Sequence, residues 1–317
     1  METGIGTMLC IGGAAVDRKY RALDAIRPGT SNPVHSERSF GGVARNVAEN
    51  VARLGVSVSL ASILGQDDNG RALLDDLQRL GIGTQFMAIS DEHATAEYVA
   101  VLQPDGELAL GLANMSIFDG LTPALLRKVE PHFRSAWLFA DCNLPSETLH
   151  ALVDVARRQS LTLAVDAVST PKVMRLPQDL TGVGLLFLNL DEARACLGEP
   201  EASPEKAAAR LRACGAERVV LTLGGAGLIV ADQSGARQVG ATRAKITDAT
   251  GAGDALIAAT LVALVKGYSL TEAARLGTAA AALTVESTAS VRPDLSFALL
   301  ETTLSLRADP TFEGEPS

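Results

Sequence analysis

The sequence predicts an α/β fold: a mostly parallel central sheet, helices on both faces, and a small β lid. Three observations predict it. Apolar runs of strand length recur at 8–13, 135–141, 161–168, 184–190 and 217–224. Between them lie stretches with helical character, the pattern of parallel strands joined by crossover helices and buried on both faces. Two segments, about 18–40 and about 95–112, break the rhythm and read as strands of a lid projecting from the sheet.

In chain order, "MLCIGG" (8–13) is a short buried strand entering a glycine turn. Residues 18–40 mix polar and apolar side chains without a helical period. In "GVARNVAENVAR" (42–53), Val43, Val47 and Val51 recur every four residues and predict a helix. "VSVSLASIL" predicts a strand, and "NGRALLDDLQRLG" a helix closed by Gly81. "TAEYVAVLQPDGELALGL" (95–112) reads as a hairpin around Pro104-Asp105-Gly106. "SAWLFAD", "LTLAVDAV", "GLLFLNL" and "ERVVLTLG" follow as strands, with helices around 146–158, 190–197 and 203–214. A single domain over 1–317 is expected, with a loose tail "RADPTFEGEPS" and no internal repeat.

Composition narrows the function. With 317 residues, 47% hydrophobic and 21% charged, the chain can bury a core and is not a disordered type. Its net charge of −9, without a basic block, argues against nucleic acid or an anionic membrane as partner. Cys10, Cys142, Cys196 and Cys214 are widely spaced, and the four histidines are scattered, so a zinc site finds no support. No basic leader and no apolar stretch of about 18 residues is present, so a cytoplasmic protein is expected.

The chemistry concentrates in "TDATGAGDALIAATL" (247–261), where Gly-Ala-Gly and Asp254 open an apolar helix. A helix N-terminus carries unpaired N–H groups and partial positive charge, which suit an anion. The N–H groups around Gly251, Ala252 and Gly253 would cup a phosphoryl group, with Asp254 beside it to accept a hydroxyl proton. Alone, this stretch reads more readily as an ordinary capped helix start. It is not a GxxxxGK[ST] loop, and no GxGxxG follows the first strand. A second cluster, "GGVARNVAENVARLG" (41–55), opens a helix with Gly41 and Gly42 and places Asn46 one turn in.

As a pair, in this order and about 200 residues apart, the two stretches closely resemble the signatures of the ribokinase-like, or PfkB, carbohydrate kinases. The likeness runs from the first strand to about residue 295. It implies a ribokinase-like three-layer sandwich and ATP as phosphoryl donor. It also implies Asp254 as catalytic base and Gly251, Ala252 and Gly253 as anion hole. "NLDE" is similar to the family's NxxE element, which implies Asn189 and Glu192 near hydrated Mg²⁺, Glu192 acting through water; by itself the stretch is a helix start with acidic residues in its first turn. "TLGGAG" (222–227) implies Thr222, Gly224 and Gly225 at the nucleotide, though it also reads as a plain β-turn. Residues 282–290 stand where the family has its adenine and monovalent-cation loop, with Asp248 and Thr250 as candidates for a K⁺ site and Thr250 also beside ATP. Asp17, Gly41, Gly42 and Asn46 match the sugar-binding positions. Many relatives have asparagine two residues before the aspartate, and this chain has Ala15.

More particular elements, "GTSNPV", "DCN" and "PDLS" among them, are similar to the pseudouridine kinases of that family, which implies the 5′-hydroxyl of pseudouridine as acceptor. Ser31 and Asn32 are then candidates for reading base edges, because an amide offers a paired donor and acceptor. "TSNP" is also an ordinary turn sequence. Asn114 and Asn143 are further polar candidates. Ribose and other nucleosides remain alternatives, and Arg18, Lys19 and Arg21 keep a sugar phosphate open. A non-catalytic nucleoside sensor is the alternative outside enzymes. Family resemblance further implies a homodimer through the lid.

Overall fold

The computed structural model describes residues 7–307, without the side chains of 134–136; the expected loose tail beyond Arg307 lies outside the described residues. The chain starts with β1 (Thr7–Ile11), runs out through the hairpin β2 (Ala15–Ala22) and β3 (Val34–Gly41), and returns by α1 (Val43–Arg53) to β4 (Val58–Ala61). Next come β5 (Ile63–Gly65), α2 (Asp68–Arg79) and β6 (Ala88–Ser90), then a second hairpin, β7 (Glu97–Leu102) and β8 (Leu108–Asn114). Helices and strands then alternate through α3 (Pro123–Val129), β9 (Ala136–Asp141), α4 (Ser146–Gln159), β10 (Leu163–Asp166), α5 (Thr170–Val173), β11 (Leu185–Asn189), α6 (Leu190–Leu197), α7 (Pro204–Ala213) and β12 (Val219–Thr222). The hairpin β13 (Leu228–Asp232) and β14 (Gly235–Val239) leads to α8 (Ala252–Val265), α9 (Leu270–Val285) and α10 (Phe297–Arg307).

The central sheet has the order β14-β13-β12-β11-β10-β9-β1-β4. From β12 to β4 every pairing is parallel, while β13 and β14 close one edge antiparallel. Side chains alternate between two cores, as strand geometry requires. Met8 and Cys10 point into the layer containing α1, α8 and α9, and Leu9 and Ile11 into the layer containing α4 and α7. Helix α8 is apolar nearly all round and is buried accordingly. The result is three layers, helix–sheet–helix. Among the described residues no helix is long and apolar enough to cross a membrane.

The lid is a second sheet with the order β3-β2-β7-β8. It begins at Ala15, three residues earlier than the sequence pattern places it, because β2 continues almost directly from β1. Gly106, at φ 97°, takes the position the hairpin turn needs between β7 and β8. The stretch read as one strand, "VSVSLASIL", is broken at Ser62, whose hydroxyl donates to the Gly12 carbonyl at 2.6 Å. Beyond it, β5 leaves the central sheet and pairs with β6.

Candidate active site

The parallel strands end in a cleft, where open α/β sheets collect ligands. At its floor Asp141, the last residue of β9, is fully buried. Its Oδ2 accepts from the backbone N–H of Gly13 at 3.0 Å and of Ala44 at 2.8 Å, and its Oδ1 from that of Asn143 at 2.9 Å. One carboxylate thereby ties the β1–β2 turn and the start of α1 to the end of β9. Burial raises its proton affinity, and these N–H donors oppose the rise. Asn143 is buried beside it and accepts from Lys172 Nζ at 2.5 Å.

Above this floor the two glycines that precede α1 serve different needs. Gly42 has φ 93°, and a Cβ there would strike the Gly13 carbonyl. A Cβ on Gly41 would strike the Asp17 carboxylate, so the absence of a side chain leaves room for that acid. Burial pushes the Asp17 carboxyl up, and the Lys19 and Arg45 charges pull it back. Asn46 Nδ2 donates to Asp254 Oδ2 at 2.8 Å, joining two residues 208 positions apart.

Asp254 lies in the first turn of α8. This helix has no side-chain cap; its Ala252 N–H makes a long bond to the Ala249 carbonyl at 3.4 Å, and the next N–H groups are left for another partner. Gly251, at φ 80°, turns the chain into the helix while the Ser290 carbonyl presses against it. A Cβ on Gly253 would meet nothing, so the open space beside it is not filled by packing. Burial raises the Asp254 carboxyl to about 7; Asp141 and Asp17 add to the rise, and Asn46 and Arg45 restrain it. A carboxylate that titrates near neutrality beside anion-seeking N–H groups is chemically suited to proton removal coupled to charge uptake.

A cavity of about 190 Å³ adjoins Asp254 and is lined by Asp166, Asn189, Glu192, Thr222 and Gly253. Asn189 and Glu192 form a reciprocal cap on α6: Asn189 Oδ1 accepts from Glu192 N–H at 2.9 Å, and Glu192 Oε2 from Asn189 N–H at 2.8 Å. Burial lifts the Glu192 carboxyl. Burial and the neighbouring acids Asp254, Glu192 and Asp141 hold Asp166 well above the ordinary carboxylate range. Gly224 and Gly225 form an exposed turn between β12 and β13. Asp248 Oδ1 accepts from the Thr250 hydroxyl at 2.6 Å and its N–H at 2.8 Å, and Oδ2 from Lys19 Nζ at 2.8 Å. Burial alone would raise this acid, but Lys19 and Thr250 hold it at about 2.

The polar candidates on the lid are placed differently. Asn32 closes its own loop, accepting from Arg27 N–H at 2.8 Å and donating to the carbonyls of Arg27 and Thr30. Ser31 is exposed on that loop, and exposed Asn114 accepts from the Ser116 hydroxyl at 3.3 Å. Sequence reasoning passed over Asp141, Asp166, Arg45 and Lys172. The available signal was position: Asp141 and Asp166 each terminate an apolar strand at the end where ligands gather.

Comparison with known proteins identifies relatives of the chain. A family model described as pfkB family carbohydrate kinase matches residues 7–295. The pseudouridine kinase of Escherichia coli (strain K12) is 29% identical over 296 residues, covering 92% of this chain and 94% of its own. Guanosine-inosine kinase from Exiguobacterium acetylicum is 28% identical over 284 residues, covering 88% and 94%. A carbohydrate kinase from Agrobacterium tumefaciens superposes with a TM-score of 0.85 at 31% identity, over 95% of this chain and 98% of that one. Arabidopsis thaliana ribokinase, solved with ribose and ATP, has a TM-score of 0.83 at 21% identity over 94% and 98%, and shares the fold.

Proposed function

Because the chain belongs to the pfkB family of carbohydrate kinases, we propose that it uses ATP to phosphorylate the 5′-hydroxyl of pseudouridine, giving pseudouridine 5′-phosphate. The observation that carries the reading is Asp254, raised to about 7 at the uncapped start of α8 and bonded to Asn46 of the acceptor side. Asp254 takes the proton of the 5′-hydroxyl as that oxygen attacks the γ-phosphorus. The bond between the γ-phosphorus and the bridging oxygen breaks, and ADP leaves. The N–H groups at Gly251, Ala252 and Gly253 take up the developing charge. Asp17, Gly41, Gly42 and Asn46 hold the ribose, while Thr222, Gly224 and Gly225 flank the nucleotide.

Among the described residues no three His, Cys, Asp or Glu side chains gather as a metal cage. Mg²⁺ would come in with ATP, with phosphate oxygens and water as its main ligands. Asn189 and Glu192 would orient that water, Glu192 through the Oε1 that its helix cap leaves free. Bound there, the ion would neutralise phosphate charge. Asp248 and Thr250 are the candidate K⁺ position, with Lys19 already paired to Asp248.

Pseudouridine is favoured by the E. coli relative that matches nearly the whole chain. Its base presents two N–H donors and two carbonyls, and Ser31 is an exposed hydroxyl-bearing residue of the lid. The test is ATP-dependent phosphorylation of pseudouridine beside uridine, ribose, adenosine, guanosine and fructose 6-phosphate. Preference for pseudouridine supports the reading, and preference for another acceptor removes its base-specific part. Asp254→Asn is expected to lower turnover at least a thousandfold, on the order of a lost general base, with ATP binding retained. Near-normal turnover would remove Asp254 from the base role.

A further inference from the structure

Next to Asn46 lies Arg45, 4% exposed and surrounded by fixed partners. Its NH2 meets Glu49 Oε2 at 2.6 Å and Asp76 Oδ2 at 2.7 Å. Its NH1 donates to Asn46 Oδ1 at 3.1 Å and to the Phe40 carbonyl at 3.3 Å. Glu49 is held in turn by Arg53, and Asp76 by Arg79. A guanidinium has donors and no acceptor, so the amide atom it meets must be the oxygen. Asn46 is therefore left with its nitrogen facing Asp254, where Nδ2 donates to Oδ2.

We propose that Arg45 is a positioning residue for phosphoryl transfer, fixing the Asn46 amide so that it donates to Asp254 and leaves the other carboxylate oxygen for the acceptor hydroxyl. The proposal rests on Asp254 acting as the base. Buried ion pairs contribute little net stability but fix orientation well, and Glu49 and Asp76 make Arg45 such a fixed point. Without Arg45, the Asn46 amide keeps only its bond to Asp254 to orient it, and that bond holds the nitrogen inward only while the acid is ionised. The amide oxygen can then turn to Asp254, a contact that favours the protonated, inactive acid. The charged groups facing Asp254 are Arg45 on α1, Asp17 on β2, Asp141 on β9 and Asp166 on β10. Lys19 stands against Asp17, and Glu192 of α6 against Asp166. Arg45 is the cation among those that act on Asp254 directly.

The experiment measures kcat against pH for the wild type, Arg45→Met and Asp76→Asn, with KM for ATP and melting temperature alongside. In Arg45→Met the acidic limb of kcat is expected to move up by about one pH unit, with kcat at pH 7 down about fivefold and KM for ATP within about twofold. Asp76→Asn removes an anchor but keeps the Arg45–Asn46 bond. It should melt lower with its limb in place. An unmoved limb in Arg45→Met overturns the proposal, as does an equal shift in Asp76→Asn, since general loosening would then explain both. Should Arg45→Met not fold, Arg45→Lys carries the test: it keeps the charge and loses the forked donor, so its limb should also move up, and an unmoved limb overturns the proposal. Asp254→Asn separates the two readings. If that variant still turns over, the base assignment falls and this proposal with it. If it is inactive while the limbs of the Arg45 variants stay put, only the role of Arg45 falls.

Discussion

Asp254 holds its proton up to about pH 7 because enclosure and the acids Asp141 and Asp17 favour the neutral form more than Asn46 and Arg45 oppose it. The sign of the resulting pH dependence is fixed. Below about 7 the group already carries a proton and cannot accept another; above it the base is free. With ATP and acceptor saturating, kcat should therefore rise as pH increases through about 7, and a flat profile from pH 5.5 to pH 8 would mean another group removes the proton. At this scale, legibility followed sequence neighbourhood. Asp254, Gly251 and Asn46 sit inside recognisable runs, and Asn46 and Asp254 do meet. Asp141 lies in the "DCN" run, but that run does not show its bonds to Gly13 and Ala44, which span 128 and 97 positions. Asn32 had two readings; its amide bonds are those of a turn.

At the scale of the element, the start of α8 separates two glycines that look alike in sequence. Gly251 needs its left-handed φ of 80° and has the Ser290 carbonyl against it. Gly251→Ala should cost about 1–3 kcal/mol or more of stability and lower turnover as well. Gly253 lies in the helix with open space beside it. Gly253→Ala should hold or raise the melting temperature, since alanine suits a helix better by about 1 kcal/mol, while lowering turnover by crowding the incoming anion. Calorimetry and kcat on both variants check the contrast; equal loss of stability would show that Gly253 is also a packing position. Most elements were legible because they are apolar runs or periodic helices. The break at Ser62 was not, because its cause is a hydroxyl bond to Gly12, fifty residues away. The edge hairpin β13–β14 escaped similarly: only pairing shows that its strands run antiparallel to their neighbour.

For the whole molecule, the lid leaves an unsolved surface. All seven residues of β8 are exposed, and Leu108, Leu110 and Leu112 stand alternately along this edge strand, each more than half exposed. An apolar edge of this kind invites pairing. A dimer joined through the lids would cover it, so Leu110→Lys with Leu112→Lys should convert a dimer to monomer in light scattering. A wild-type chain that is monomeric at micromolar concentration would refute this assembly.

One further consequence comes from where the lid is attached. Strand β2 leaves the central sheet at Ala15, only four residues after β1 ends, and Asp17 is the third residue of that strand. At about 3.3 Å per residue, Asp17 lies roughly 7 Å from the pivot and Ala22 roughly 23 Å. The lid is thus a lever with Asp17, the proposed sugar contact, on the short arm. Any tilt sweeps the loop bearing Ser31 through a long arc and barely displaces the carboxylate beside Gly41. On the proposed reading, recognition of the far end of an acceptor would be mechanically separated from the grip on its sugar.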